Sequence, residues 1–198
     1  MKITSLKQQI KNPERVSLFV DEKYGFSLTL SELVKYKLKK SDELSEADFK
    51  KFKKISEDGK IAARAMEWLI NRPHSIREFK DYMYRKKAEP ELTEKLIEQF
   101  SDKKYLNDEA YGRWLVELRS RAGKSNRAIK SELMAKGVDR EIADQVLEDT
   151  AGSEAARLRD LIAKKAKLSR YKNDPLKLVK YLTSQGFSYS LVKECLKD

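Results

Sequence analysis

The chain has one cysteine, one histidine, seven glycines and four prolines in 198 residues. With Cys195 alone no intrachain disulfide can form, and a reducing, cytoplasmic setting is the expectation. A zinc site of Cys and His cannot be assembled, and any Ser-His-Asp or Cys-His centre would depend wholly on His74. So little Gly and Pro argues against an all-β fold of many short strands. Long apolar runs are also missing. The longest uncharged stretch, Tyr181 to Val192, is twelve residues, well below the roughly 20 that a membrane helix needs. Lys2, Lys7 and Lys11 precede no apolar run, so no signal peptide is expected. Nucleotide-binding glycine loops, HExxH and GxSxG are absent as well. The expectation is a protein that is not an enzyme, carries no cofactor and contacts no membrane.

Charge, by contrast, is abundant. Lys and Arg number 43 against 32 Asp and Glu, giving a net charge of +11, and charged residues make up 38% of the chain. Apolar residues at 40% are too many and too regularly spaced for a disordered chain, and suit thin layers of amphipathic helix. The excess is uneven: residues 151–198 hold 11 basic and 5 acidic side chains, whereas residues 107–150 hold 8 and 9. A local basic excess is the footprint of an anionic partner or a solubilising surface.

A repeat underlies the pattern. Placing Ser75 on Ser125 and continuing without gaps sets Phe79 on Ile129, Met83 on Leu133, Lys87 on Gly137, Leu92 on Ile142, Leu96 on Val146 and Ile97 on Leu147. A further shift of 49 residues brings in Asp174, Leu178, Leu182, Gly186, Phe187, Leu191, Cys195 and Leu196. Ser75, Ser125 and Asp174 are good N-caps, Glu78 can complete a capping box with Ser75, and Pro175 sits at the favoured first helical position. Gly137 and Gly186, each before an apolar residue, have the form of a left-handed helix stop. Each copy therefore predicts helix, tight turn, helix.

A further helix precedes each pair, over Ile61–Asn71, Asp108–Ser120 and Ser153–Lys167, with apolar positions at a period near 3.6. The expected fold is mainly α: three tandem three-helix units at 61–106, 107–150 and 151–198, forming an elongated, curved array. Residues 1–60 should form a separate extension. Val16–Val20 and Tyr24–Leu30 around Asp21-Glu-Lys23 predict a β-hairpin, Ser31 and Ser45 each predict a helix start, and Asp58-Gly59 predicts the segment's end.

His74, in Arg72-Pro73-His74-Ser75, fits a helix boundary better than a catalytic centre. Cys195 shares a core column with Val146 and Leu96, and Trp68 and Trp114 fall in apolar stripes. The candidate functional residues are basic. Arg113, Arg119, Arg121, Lys124 and Arg127 surround one interhelical loop; Lys164, Lys165, Lys167, Arg170 and Lys172, with Tyr171 among them, form a second cluster; Arg72 and Arg77 belong to the first unit. Cations interleaved with an aromatic can hold phosphates and stack on bases; they can equally be stems snorkelling over a solvated helix.

Taken in order, Arg72-Pro73-His74-Ser75, Tyr105-Leu-Asn-Asp-Glu-Ala-Tyr111, Arg119 to Gly123, Leu133-Met-Ala-Lys-Gly137-Val138 and Gln185-Gly186-Phe187 resemble the RecX family, the bacterial regulators of the RecA recombinase. The hairpin, with Arg15, Val16, Phe19, Tyr24 and Phe26, resembles the extension of some members. Lys87, where a Gly is expected, and a longer basic loop at 165–173 depart from the pattern. The resemblance implies an all-helical, curved protein that lies in the groove of a RecA filament on single-stranded DNA and modulates, chiefly by inhibition, strand exchange, ATP hydrolysis and co-protease activity, and thereby recombination, repair and the SOS response; from the open repeat array itself a monomer is expected. It transfers no catalytic signature. Weak direct DNA contact is part of the expectation, and the alternative from the residues is a stand-alone, non-specific DNA-binding protein.

Overall fold

The two runs around Asp21 do form a hairpin. In the computed structural model, which describes every residue except Ala151, Asn173, Asp198 and the side chain of Thr150, strand β2 (Arg15–Val20) pairs antiparallel with β3 (Lys23–Thr29). The turn has φ of 47° at Asp21 and 68° at Glu22, the doubly left-handed form that matches the twist of the strands. A strand that the sequence reading missed, β1 (Ile3–Gln8), joins β2 on its other side, making a three-stranded sheet in the order β1-β2-β3. The register slips between Ile3 and Ser5. That bulge lets the buried Ile3 and the partly buried Leu6 both pack on the core although they lie three residues apart, which destroys the period-two cue.

Two further expectations need correction. The first helix, α1 (Leu30–Lys35), starts from Thr29 rather than Ser31: Thr29 Oγ1 accepts the Glu32 amide at 3.2 Å and Glu32 Oε2 accepts the Thr29 amide at 2.8 Å, a complete capping box. The second, α2 (Glu46–Leu69), runs 24 residues straight through Asp58-Gly59, where an end was expected. Gly59 is there for a neighbour. A Cβ at this position would stand 3.1 Å from Arg15 Nη1. The Arg15 guanidinium is buried, and its Nη2 donates to Ser27 O at 2.8 Å, Ser27 Oγ at 3.0 Å and Ser56 O at 3.4 Å. These bonds tie β2, β3 and α2 together beside the aromatic core of Phe26, Phe49 and Phe52. Replacing Arg15 by Ala leaves those acceptors without their donor, and should cost about 2–3 kcal/mol in urea unfolding. A loss below about 0.5 kcal/mol would deny Arg15 this role.

The chain divides into two compact units, Met1–Trp68 with Lys86–Leu92, and Leu69–Arg85 with Thr93–Asp198. The second contains α3 (Ile76–Arg85), most of α4 (Pro90–Asp102), α5 (Asp108–Arg121), α6 (Asn126–Ala135), α7 (Arg140–Thr150), α8 (Glu154–Ala166), α9 (Ser169–Lys172), α10 (Pro175–Ser184) and α11 (Tyr189–Cys195). The fold is thus mainly helical, with a small antiparallel sheet at the N-terminus. The expected basic loop contains α9; its last residue, Asn173, and the first residue of the expected third unit, Ala151, lie outside the described residues.

The repeat columns are the core. Phe79, Ile129 and Leu178 are buried, as are Met83, Leu133 and Leu182, and Leu96, Val146 and Cys195. One column differs from expectation: Leu196 is 38% exposed where Leu147 is buried. The burial falls instead one step after Leu92, Ile142 and Leu191, at Thr93, Ala143 and Val192. α5, α6 and α7 enclose Tyr111, Leu115, Val116, Ile129, Leu133 and Val146, with Trp114 packed against them. α8, α10 and α11 enclose Leu158, Leu178, Leu182, Phe187 and Val192 in the same way. Among the described residues no helix is long and apolar enough to cross a membrane.

Candidate functional site

The same latch forms twice along the second unit. In the first, Ser75 Oγ donates to Lys136 O at 2.7 Å and the Ile76 amide donates to Asp108 Oδ1 at 2.8 Å. In the second, the Ser125 amide donates to Gln185 O at 3.1 Å and the Asn126 amide to Glu154 Oε1 at 2.6 Å. Asp108 and Glu154 each open a helix, and each accepts the first amide of the helix pair before it. The turn glycines close the contact. A Cβ on Gly137 would stand 2.7 Å from Arg77 Cβ, and one on Gly186 would stand 2.4 Å from Ser125 Oγ. Lys87 keeps the left-handed backbone (φ 55°) but not the glycine. The residues before this first helix pair form the sheet, α1 and α2, not an earlier helix pair whose start Lys87 would have to meet.

Ion pairs beside and beyond these latches occupy several of the cations singled out in the sequence. Arg72 Nη1 bonds Glu78 Oε2 at 2.9 Å, and its guanidinium lies 5.0 Å from the Trp114 ring centroid. The same Glu78 carboxylate meets His74 Nδ1 at 3.2 Å and Lys136 Nζ at 3.0 Å. Burial pushes the Glu78 carboxyl up, but the hydrogen bonds and charges of Arg72 and Lys136 outweigh it and hold the group at about 2. Ser75 Oγ does accept the Glu78 amide at 3.1 Å, while the Glu78 side chain, expected to reach back to the cap, is turned to these three partners. Burial, with the nearby Glu78 charge, raises the Tyr111 hydroxyl to about 12.

Arg119 makes a bidentate pair with Glu132 at 2.8 and 2.7 Å, which raises its pKa. Arg113 pairs with Glu109 and Asp149, both at 2.9 Å. Arg121 reaches Glu117 at 3.1 Å but is 81% exposed, so that pair is weak. Arg77 is exposed with its stem beside Gly137. Lys165 and Arg170 lie over the rings of Tyr181 and Tyr171, at 5.3 and 4.6 Å. Lys124, Arg127, Lys164, Lys167 and Lys172 have no ion-pair partner among the described residues. Among the described residues the twelve candidates thus split: Arg72, Arg113, Arg119 and Arg121 are ion-paired, Lys165 and Arg170 lie over rings, and Arg77, Lys124, Arg127, Lys164, Lys167 and Lys172 make no ion pair.

The structure also joins the two clusters. Arg121 and Lys164 line one cleft of about 370 Å³ with Ser120, Arg157, Asp160 and Leu161. The sequence reading missed Arg157, whose position among the alternating charges of α8 gives no cue. Its guanidinium donates to Ser120 Oγ at 2.6 Å and to Asn126 Oδ1, and its Nε is buried without a partner among the described residues. Burial lowers the Arg157 pKa against the opposing charge of Glu154. The cleft is of mixed charge: the cations of Arg121, Arg157 and Lys164 stand beside the carboxylates of Glu117 and Asp160, and Glu117 is the partner of Arg121. Cys195 is buried and Trp114 packs on the core, as their columns indicated; no metal-binding cluster of His, Cys, Asp and Glu occurs among the described residues.

The family model described as "Regulatory protein RecX N-terminal domain" matches residues 1–45, and that described as "RecX, second three-helix domain" matches residues 107–147. The protein named "Regulatory protein RecX" from Listeria innocua is 32% identical over 98% of this chain and 74% of its own length. Its namesake from Bacillus subtilis is 31% identical over 98% of this chain and 75% of its own length. A solved structure titled "Crystal structure of regulatory protein RecX" matches with a TM-score of 0.76 at 22% identity, covering 100% of this chain and 99% of that one. The structure of RecX from Lactobacillus salivarius matches with a TM-score of 0.60 at 23% identity, over 71% of this chain and 94% of that one.

Proposed function

Because the chain belongs to the RecX family of regulatory proteins, we propose that it binds the RecA recombinase filament on single-stranded DNA, in the filament's helical groove, and restrains recombination, ATP hydrolysis and co-protease activity. It does so without a cofactor and as a monomer, by contact and not by chemistry. The observation that supports the reading is the set of cations with no ion-pair partner among the described residues, of which Lys164 lines the cleft it shares with Arg121. Lys124, Arg127, Lys167 and Lys172 extend it on the same two segments. An exposed, unpaired cation keeps its full charge for a phosphate or an acidic surface, whereas Arg119 has already given its charge to Glu132. The division of residues 61–106, 107–150 and 151–198 into three tandem units belongs to the same proposal, since repeated units present repeated contacts to a repeating filament.

The test is DNA-stimulated ATP hydrolysis by the cognate recombinase, titrated with this protein, beside binding to bare DNA. Inhibition well below one protein per recombinase subunit is expected, with weak and salt-sensitive binding to bare DNA. The variant Arg121→Glu/Lys124→Glu/Lys164→Glu should need about tenfold more protein for half-inhibition, with helix content unchanged. Tight binding to bare DNA with no effect on hydrolysis would favour the stand-alone DNA-binding reading instead.

A further inference from the structure

The N-terminal sheet has a second face whose surface chemistry differs from its buried side. Ile3, Leu18, Val20, Phe26 and Leu28 pack on the core. Opposite them lie Phe19, directly across from Ser5 on β1 and from Tyr24 on β3, and Lys7, across from Ser17. Phe19 is half-buried and Tyr24 is 51% exposed. Their centroids are 6.2 Å apart with planes at 82°. Each ring carries a lysine: Lys7 Nζ is 5.1 Å from the Phe19 centroid and Lys60 Nζ is 5.8 Å from that of Tyr24. Beside Phe19 a shallow cleft runs on past Gln9, Ile10 and Lys11, with Ile10 almost wholly in solvent at 98% exposure. The acids nearest in sequence to the two rings, Asp21 and Glu22, form the β2–β3 turn, where Asp21 takes the Lys2 amide at 2.8 Å; Glu57 and Asp58 precede Lys60 on α2.

An open aromatic pair on a sheet, flanked by lysines, has the composition of a stacking platform: ring faces take bases, and the ammonium groups take the phosphates between them. The geometry selects for single strands. Neighbouring bases of a duplex strand are held parallel and about 3.4 Å apart along the axis, and they cannot lie on two rings set 6.2 Å apart and nearly perpendicular. Bases of an unpaired strand can turn independently. We propose that this face, Phe19 and Tyr24 with Lys7, Lys11 and Lys60, is a binding site for single-stranded nucleic acid, separate from the basic cleft of the second unit. On binding, Lys7 and Lys60 leave the rings for phosphates, and bases take their places on the π faces. This inference is independent of the filament reading, which is tested by recombinase ATP hydrolysis.

The experiment is fluorescence anisotropy of a labelled oligo(dT) with the full chain at low salt. Tyr24 is exposed, so its variants should fold, with circular dichroism melts as the check. Tyr24→Phe should bind within about twofold of wild type, and Tyr24→Ala should lose about tenfold, the worth of one base–ring stack. Lys7→Glu/Lys60→Glu should lose at least as much and reduce the salt slope by about one. Wild-type binding by Tyr24→Ala and by the double variant would overturn the proposal. So would equal competition by a duplex of the same length, or complete loss of oligonucleotide binding in Arg121→Glu/Lys124→Glu/Lys164→Glu with the sheet intact.

Discussion

Gly186→Val should destabilise the second unit by about 3 kcal/mol or more, a large change for one residue. Two costs add at one atom. Gly186 has φ of 98°, a region that L-residues enter only at a cost of about 1–2 kcal/mol and that β-branched residues resist most. The new Cβ would also stand 2.4 Å from Ser125 Oγ and 2.8 Å from Ala128 Cβ, so α10's turn must lift off the start of α6 and release the Ser125–Gln185 bond. Gly137→Val should cost a comparable amount: its φ is 80°, and the new Cβ would stand 2.7 Å from Arg77 Cβ, an atom fixed to its backbone that no rotamer change moves away. Urea unfolding of both variants checks this; a midpoint equal to wild type for either would remove that latch as a stabilising contact.

Glu78→Gln should cost about 2 kcal/mol at neutral pH, and the cost should shrink as the solution is acidified. A carboxyl held at about 2 instead of 4.5 corresponds to about 3 kcal/mol, reduced here because Arg72 and Lys136 are partly in solvent. The native value is depressed, so the ionised group contributes fully above about 4.5 and its contribution is lost as pH falls from about 4.5 towards 2. Wild type and Glu78→Gln should therefore converge in stability across that interval. The groups that set the effect are Arg72 and Lys136, with His74 at 3.2 Å and the buried Tyr111 beyond. Parallel unfolding curves with a constant difference between pH 7 and pH 2.5 would mean that the ion pairs contribute nothing.

The helical repeat was legible because its signals are local. N-caps, stop residues and a 3.6 period are each written within one turn of helix, and Ser125, Asp174 and Gly186 occupy the expected places. The misses are of another kind. Strand β1 lost its alternation to a bulge at Ile3 and Ser5. Gly59 looked like an end because a mid-helix glycine is costly, and its reason, the guanidinium of Arg15, comes from a strand more than forty residues away. The candidate site was half legible. Clustering found the cations, but nothing in the sequence pairs Arg119 with Glu132, or Arg72 with Glu78, across different segments. Lys124, Arg127 and Lys164 stand out only once those partners are assigned.

The two latches also give the helical array a direction. Each has a donating half, the start of one helix pair, and an accepting half, the turn and leading acid of the next. In the donating half the first helical residue must supply an N–H, as Ile76 and Asn126 do for Asp108 and Glu154. The third pair starts with Asp174, whose side chain accepts the Lys177 amide at 3.0 Å, and then Pro175, which has no N–H to give. The residue that best begins that helix therefore removes the N–H on which Ile76 and Asn126 rely, so the first-amide bond of the two latches cannot be made by Pro175. One pyrrolidine ring trades that bond for a pre-set helical φ.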